Sequence, residues 1–259
     1  MRAMAAHNGL QPVGAVPLFP AKGFLTIPAE FKEGKGHMQV DLIIFDCDGV
    51  IADSEVLSAS VLIDQLAQLG IAITMQDVRR DFLGRSFPTV AATIRHRFDR
   101  TLPDDFEATY RARLLDRFDT ELKPTPGFDA MLSSIGDRRI CVATSSSPPR
   151  VAHTLQVLGL SERFGPHVFT ASQVARGKPA PDLFLFAARQ MGCPPDRALV
   201  IEDSVPGIQA AQAADIRVLH YTGGAHLRDQ PPQDGVTRLD DWTQLPDLIA
   251  RLQTAGTRA

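Results

Sequence analysis

Cysteine is scarce in this sequence of 259 residues. The three cysteines, Cys47, Cys141 and Cys193, lie far apart and form no C-x-x-C pair. This pattern argues against a disulfide scaffold and against a structural zinc site, and it favours a reducing compartment, so we expect a cytoplasmic protein. The sequence also lacks a run of about 18 consecutive apolar residues, so no membrane-spanning helix is predicted.

A large excess of charge of one sign is missing too. The sequence has 27 Lys and Arg against 30 Asp and Glu, a formal net charge of −3. A strong positive field would be needed to hold nucleic acid or an anionic membrane surface, so neither partner is expected. An anionic ligand must instead be held by a few well-placed groups. With 44% apolar residues, the composition is that of an ordinary globular protein.

The first 37 residues differ from the rest, because they show neither a helical nor a strand period and contain four prolines. They lack the compact apolar segment of a secretory signal and the arginine-rich amphipathic pattern of a transit peptide. We expect residues 1–38 to form a disordered tail, or to precede a native start at Met38. The folded part should then begin near Gln39.

Strands and helices alternate over most of the remaining sequence. The apolar run at 40–45 stops at Asp46 and is typical of a buried parallel strand. Further strands are predicted at 139–144, 168–170, 198–201 and 217–221. Helices are predicted at 55–69, 75–83, 87–98, 103–118, 127–135, 149–158, 181–191 and 205–213.

This alternation predicts an α/β fold with a doubly wound, Rossmann-like parallel sheet. Only helices are predicted between the first two strands. We therefore expect an inserted helical domain over residues 55–122, with an α/β core formed by residues 39–54 and 123–259.

Polar side chains follow the predicted strands directly, where ligands bind in open α/β sheets. They are carboxylates after the first and fourth strands, hydroxyls after the second and one lysine before a helix: Asp46, Asp48, Glu202, Asp203, Thr144, Ser145, Ser146 and Lys178. Any one of them could simply cap a helix or lie at the surface. Together, however, crowded carboxylates call for a cation, and oxygen ligands favour Mg²⁺. A divalent cation with a lysine and hydroxyl donors describes a phosphate site.

Four segments, in order, resemble the motifs of the haloacid dehalogenase-like superfamily, in its branch of phosphotransferases with an aspartate nucleophile. They are DCDGVIADSE at 46–55, VATSS at 142–146, GKPAPD at 177–182 and VIEDSVPG at 200–207. The resemblance spans about residues 39–225. The helical block between the first two motifs is similar to the small α-helical cap of one subclass of this family.

The resemblance implies a reaction through an aspartyl-phosphate. Asp46 would be the nucleophile, and Asp48 would protonate the leaving oxygen and then deprotonate the attacking water. Thr144 and Lys178 would act as further catalytic groups that bind the phosphate oxygens, with Ser145 beside them as a substrate-binding residue.

The same resemblance implies magnesium as the cofactor. Its ligands would be the Asp46 carboxylate, the backbone carbonyl of Asp48 and Asp203, with Glu202 binding directly or through water. Cys47, between the two acids of the first motif, is expected to be a packing residue.

Within this family the sequence favours a phosphatase, a phosphoric monoester hydrolase acting on a small sugar phosphate or sugar-acid phosphate. The alternative is a phosphosugar mutase similar to β-phosphoglucomutase. The mutase pattern has a histidine where this sequence has Ser58 and an arginine where it has Phe87, which disfavours that alternative. A 2-haloacid dehalogenase would not keep the second acid, Asp48, and a catalytically silent protein would lack one of the motif residues.

Substrate choice is expected to come from the cap, which closes over the site in this family. Arg85, which follows Gly84, is our candidate for a cap side chain that reaches the substrate; a solvated loop arginine is the alternative. The expected partner is a small phosphorylated metabolite, and we expect a monomer or a weak homodimer.

Overall fold

The structure, a computed structural model, describes residues 39–228, 230 and 233–254. The predicted tail lies outside the described residues. Among the residues described, no helix combines the length and the apolar character that crossing a membrane requires.

A sheet of six parallel strands forms the centre of the fold, in the order β3-β2-β1-β4-β5-β6. This order is that of a doubly wound sheet, so the predicted fold class is confirmed. The strands are β1 Leu42–Phe45, β2 Arg139–Thr144, β3 Val168–Thr170, β4 Ala198–Glu202, β5 Arg217–Tyr221 and β6 Thr237–Leu239. The sequence analysis does not predict β6, because a three-residue edge strand is too short to give a periodic signal.

The helices lie close to their predicted positions, with two additions. They are α1 Glu55–Gln68, α2 Met75–Asp81, α3 Phe87–Phe98, α4 Phe106–Glu121, α5 Phe128–Ser134, α6 Pro148–Val157, α7 Ser161–Phe164, α8 Asp182–Gln190, α9 Val205–Ala213 and α10 Leu245–Thr254. The prediction misses α7 and α10. It also places α4 about three residues early, because residues 103–106 form a turn in which the Phe106 N–H donates to the Pro103 carbonyl.

Alternate side chains of β1 enter the apolar cores on the two faces of the sheet. Ile43 and Phe45 pack with residues of α5, α6, α7 and α10. Leu42 and Ile44 pack on the opposite face with residues of α8 and α9. This two-sided burial explains why β1 reads as a continuous apolar run instead of an alternating one.

A third apolar core lies within residues 55–122, which we call the helical insert. Its buried side chains come from α1 to α4, with Leu66, Ile94, Leu114 and Phe118 among the fully buried ones. The two segments that connect the insert to the sheet run side by side, since the Asp53 N–H donates to the Lys123 carbonyl at 3.0 Å. This arrangement is compatible with the predicted cap, whose domain limits stay a prediction.

The strand register brings the predicted site residues to one edge of the sheet. Phe45, the last residue of β1, lies opposite Val142 of β2 and Ile201 of β4. The residues that follow these strands therefore meet at the same edge. We call residues 46–48, 144–146 and 202–204 the sheet rim, together with Lys178, which contacts Asp46 and Glu202.

Candidate active site

The first part of the site is the turn that follows β1. Gly49 has a φ of +80°, and the N–H groups of Ile51 and Ala52 both donate to the Cys47 carbonyl at 2.9 Å. The Cys47 side chain enters the apolar core, where burial raises the pKa of its thiol. The neighbouring Asp46 and Asp48 line a cavity. The tight turn thus brings both acids to one side and leaves cysteine as a packing residue.

Lys178 joins two carboxylates at the centre of the rim. Its Nζ donates to Asp46 Oδ1 at 2.5 Å and to Glu202 Oε1 at 2.9 Å, and only 1% of the lysine side chain is exposed. Burial lowers the pKa of Lys178, but the two carboxylates outweigh burial and raise it. Burial raises the pKa of Asp46 to about 7, although the ammonium group opposes that shift. The attraction between the lysine and the two carboxylates therefore offsets the hydration that these charged groups lose in the interior.

Asp46, Glu202 and Asp203 form a buried carboxylate cluster. One oxygen from each lies within 4.8 Å of the others, a spacing that could hold a metal ion. Burial and the neighbouring carboxylates raise the pKa of Asp203 well above its usual value. One lysine compensates only part of this negative charge, so the cluster calls for a cation.

The two acids after β4 are held differently. Glu202 accepts hydrogen bonds from the Ser204 N–H at 2.7 Å, from the Ser204 hydroxyl at 3.0 Å and from Lys178. Ser204 also caps α9, because its hydroxyl accepts from the Gly207 N–H at 3.3 Å. Asp203 has one oxygen 2.7 Å from His226 Nε2, and that histidine is buried. Glu202 thus has both oxygens engaged, which leaves Asp203 the freer of the two.

Three side chains donate to the Asp48 carboxylate. Ser54 Oγ and Arg150 Nη2 each reach Oδ1 at 2.7 Å, and Ser146 Oγ reaches Oδ2 at 2.5 Å. Burial alone would raise the pKa of Asp48, but Arg150 and the two serines outweigh it and lower the pKa. Asp48 is therefore a carboxylate in this structure.

The segment after β2 supplies hydroxyl groups. Thr144 is buried, and its Oγ1 accepts from the Ser146 N–H at 3.1 Å. Ser145 Oγ donates to the Gly84 carbonyl at 3.0 Å, which is a direct contact between the rim and the helical insert. Of the predicted phosphate-binding groups, Thr144 and Ser145 line the cavity directly, and Gly177 brings the Lys178 segment to its wall.

The cavity between the rim and the insert has a volume of about 340 Å³. Its insert wall includes Phe82, Arg85, Phe87 and Arg111, so the predicted cap residue Arg85 does line it. Arg85 is exposed at the cavity mouth. A cavity of this size, with a polar floor and a partly apolar wall, is typical of a site for a small molecule.

The sequence profile of the haloacid dehalogenase-like hydrolases matches residues 40–215 of the chain. The chain belongs to the haloacid dehalogenase-like hydrolase family. The match includes every motif residue of the rim. The resemblance inferred from the four motifs is thus confirmed.

Named relatives of this haloacid dehalogenase-like hydrolase include phosphatases. The 6-phosphogluconate phosphatase of Escherichia coli (strain K12) is 27% identical over 81% of this chain and 95% of that protein. A fructose-1-phosphate phosphatase of the same organism is 32% identical over 68% of this chain and 96% of that protein. A haloacid dehalogenase-like protein of unknown function from Agrobacterium tumefaciens has a crystal structure with a TM-score of 0.69, at 33% identity over 82% of this chain and 98% of that chain.

Two contacts at the rim of this hydrolase family member are not predicted from its sequence. Arg150, inside α6, reaches Asp48, and His226, after β5, reaches Asp203. Neither residue belongs to a recognised motif, and an arginine within a helix reads as a surface charge. A weak signal for His226 is the Gly223-Gly224 pair before it. A side chain at Gly224 would press on the His226 ring, with Cβ 2.8 Å from two of its atoms.

Proposed function

We propose that this hydrolase is a magnesium-dependent phosphatase that acts on a phosphate monoester of a small sugar or sugar acid through an aspartyl-phosphate. The observation that carries the proposal is the grouping of Asp46 and Asp48 at the floor of a small cavity, with the buried Lys178 bound to Asp46 behind them. The relatives support the substrate class, since two of them are named for 6-phosphogluconate and fructose 1-phosphate.

In the first step, an Asp46 carboxylate oxygen attacks phosphorus and the ester P–O bond breaks. The leaving oxygen takes its proton from Asp48, which must pick up a proton before this step. Lys178, already bound to Asp46, offsets the negative charge that would otherwise oppose the approach of a phosphate. Thr144, which is buried and lines the cavity, would donate to a phosphate oxygen.

In the second step, a water oxygen attacks the phosphorus of the aspartyl-phosphate and gives its proton to Asp48. The acyl-phosphate P–O bond breaks, which releases inorganic phosphate and restores Asp46. Asp48 suits this base role as it stands in the structure, because it is held as a carboxylate.

The carboxylate cluster fits a divalent cation, as its buried oxygens lie within 4.8 Å of one another. Asp46 and Asp203 would hold the ion together with the backbone carbonyl of Asp48. Glu202 would contact the ion only indirectly, through Lys178, Ser204 or water, since both of its carboxylate oxygens already accept hydrogen bonds. When bound, Mg²⁺ supplies positive charge between the carboxylates and the phosphate.

The test is phosphate release by the purified protein from sugar phosphates, sugar-acid phosphates, phosphoglycolate and nucleotides, with Mg²⁺ and with chelator. We expect release on a narrow set that requires Mg²⁺ and falls by at least about 10³-fold in Asp46→Asn. The matched control is Asp41→Asn, the same change at the opposite end of β1, which should keep full activity.

Near-normal activity of Asp46→Asn would exclude Asp46 as the nucleophile. If the wild type releases no phosphate from any compound, the phosphatase proposal fails. Conversion of β-glucose 1-phosphate to glucose 6-phosphate, with a bisphosphate primer, would then favour the mutase.

A further inference from the structure

Arg150 makes the only salt bridge to the Asp48 carboxylate among the residues that the structure describes. It stands on α6, 102 residues away from Asp48 in sequence, and 17% of its side chain is exposed. Its Nη2 donates both to Asp48 Oδ1 at 2.7 Å and to Ser58 Oγ at 2.9 Å. The guanidinium lies over the Phe118 ring of the helical insert, 5.7 Å from the ring centre. Groups from both the rim and the insert thus define its position.

The contact fixes the orientation of the Asp48 carboxylate. Ser54 and Arg150 hold one oxygen, and Ser146 holds the other. The serine hydroxyls can rotate and exchange partners, whereas a guanidinium packed on an aromatic ring presents its N–H groups in a fixed direction. Arg150 is therefore the rigid member of the set.

Ser58 makes room for this arrangement. It is buried, and its small hydroxyl accepts from Arg150 next to Asp48. The Tyr110 hydroxyl of the insert donates to the Ser58 carbonyl at 3.4 Å, which helps to hold Ser58 beside Arg150. This is also the position at which the mutase pattern has a histidine. In this chain an arginine from α6 fills the space beside the second acid.

We infer that Arg150 is a positioning residue, which holds the Asp48 carboxylate in the pose from which it exchanges protons with the leaving group and with water. The inference rests on the proposed phosphatase function. Although Arg150 lines the cavity, the inference assigns it no contact with the phosphate, since its Nη2 is bound to Asp48 and Ser58.

The test compares Arg150→Met, Arg150→Lys and Ser58→Ala with the wild type on the substrate found in the panel. We expect kcat of Arg150→Met to fall by about 10²-fold, within the range that one general acid–base group contributes. KM, the Mg²⁺ concentration for half-maximal activity and inhibition by inorganic phosphate should stay within about twofold, since none of these depends on the pose of Asp48. Ser58→Ala should lower kcat by less than Arg150→Met does.

A second readout separates this role from general damage. 4-Nitrophenolate leaves without a proton, so Arg150→Met should still form the aspartyl-phosphate from 4-nitrophenyl phosphate and hydrolyse it slowly. We expect a burst of about one nitrophenolate per enzyme, which is the usual sign of an accumulating covalent intermediate. Added guanidinium ion should restore part of the activity of Arg150→Ala, and Arg150→Lys should retain more than Arg150→Met.

Folding is checked by thermal melts, with Arg197→Lys as the matched control. Arg197 pairs with Asp41 at the other end of the sheet, and its conservative change should leave all kinetic values unchanged. A raised KM with unchanged kcat would overturn the inference and make Arg150 a substrate anchor. Unchanged kinetics of a folded Arg150→Met would also overturn it, while the proposed function would stand. If the wild type has no phosphatase activity, both the proposed function and the inference about Arg150 fail.

Discussion

The sheet rim and the helical insert face one cavity with different kinds of side chain. At the rim the charged groups are buried and hold one another, as Lys178 holds Asp46 and Glu202. In the insert the ion pairs lie near the surface, as in the pair of Arg97 with Asp77, and the interior is apolar. Removing one partner of a buried ion pair lowers the free energy of unfolding far more than removing one partner of an exposed pair.

Under the proposed function, this difference separates chemistry from recognition. The Asp48 and Glu202 carboxylates at the rim each accept three hydrogen bonds, which suits groups that must keep a set distance from a reacting atom. In the insert, Arg85 is exposed at the cavity mouth, and no hydrogen bond of its side chain is found among the described residues. Changes at the rim should therefore act on kcat and on folding together, whereas changes on the insert wall should act on substrate choice.

Lys178→Met should have the largest effect, because it leaves two buried carboxylates, Asp46 and Glu202, without their cation. We expect the free energy of unfolding of the metal-free protein to fall by about 3–5 kcal/mol, the usual result of removing one partner of a buried pair. Activity should fall by at least about 10²-fold, as on removing one group that stabilises negative charge. Urea unfolding in the presence of chelator measures the first quantity, and phosphate release measures the second.

Arg80→Met in the insert is the matched control for Lys178→Met, since Arg80 also pairs with two carboxylates but lies at the surface. It should leave both quantities nearly unchanged. A similar loss of stability in the two variants would mean that burial does not distinguish rim from insert.

Gly84→Ala should have an intermediate effect, confined to the boundary of the two regions. Gly84 has a φ of +71°, and a Cβ there would lie 2.5 Å from the Ser204 Cβ and collide with its hydroxyl. The loop must move away from the rim, which breaks the contact between Ser145 and the Gly84 carbonyl. We expect kcat/KM to fall by about 10- to 100-fold, as small misplacements do.

Gly70→Ala is the control for Gly84→Ala. Gly70 has a similar φ of +73°, but an added Cβ meets nothing within 4 Å. Both variants carry the same backbone penalty, about 1 kcal/mol, so only Gly84→Ala should lose activity. Equal activity in the two would show that the approach of the insert to the rim has no part in catalysis.

The rim was largely predictable from sequence because its residues follow strands. Asp46, Thr144 and Glu202 stand at or next to strand ends, and the parallel register brings such ends together whatever the loops contain. Asp203 and Lys178 join them through short turns. The carboxylate cluster and the ion pair thus depend on local patterns that the sequence displays.

The contacts made by Arg150 and His226 could not be predicted in this way. Arg150 depends on where α6 packs against α4, and His226 on how the segment after β5 folds back onto the rim. Both depend on packing between elements far apart in sequence. The exposed Arg85 lines the cavity, where the sequence analysis expects it. Its contact with a substrate stays a prediction.

Asp46→Asn should change the stability of the rim by an amount that depends on pH. The pKa of Asp46 is about 7 in the folded protein, whereas the ordinary value is 3.8. Between these pH values the folded protein keeps a proton that the unfolded chain has lost, so the free energy of unfolding falls as the pH rises. The amide that replaces the carboxyl group does not titrate in this range. The variant should therefore melt above the wild type at pH 8, and the difference should shrink toward pH 4.

The expected shift at pH 8 is at least about 2–4 °C, which corresponds to about 1 kcal/mol in a domain of this size. The rise of the Asp46 pKa from 3.8 to about 7 corresponds to at most about 4 kcal/mol. The shift is measured by thermal melts with chelator present, since a bound cation would stabilise the Asp46 carboxylate and conceal the effect. Circular dichroism at each pH ensures that the same folded state is compared. A difference that stays constant from pH 4 to pH 8 would mean that Lys178 keeps Asp46 ionised throughout. Because the proposed mechanism requires the same carboxylate for turnover, a more stable and inactive variant would indicate that the rim is built for reaction at a cost in stability that the apolar insert does not carry.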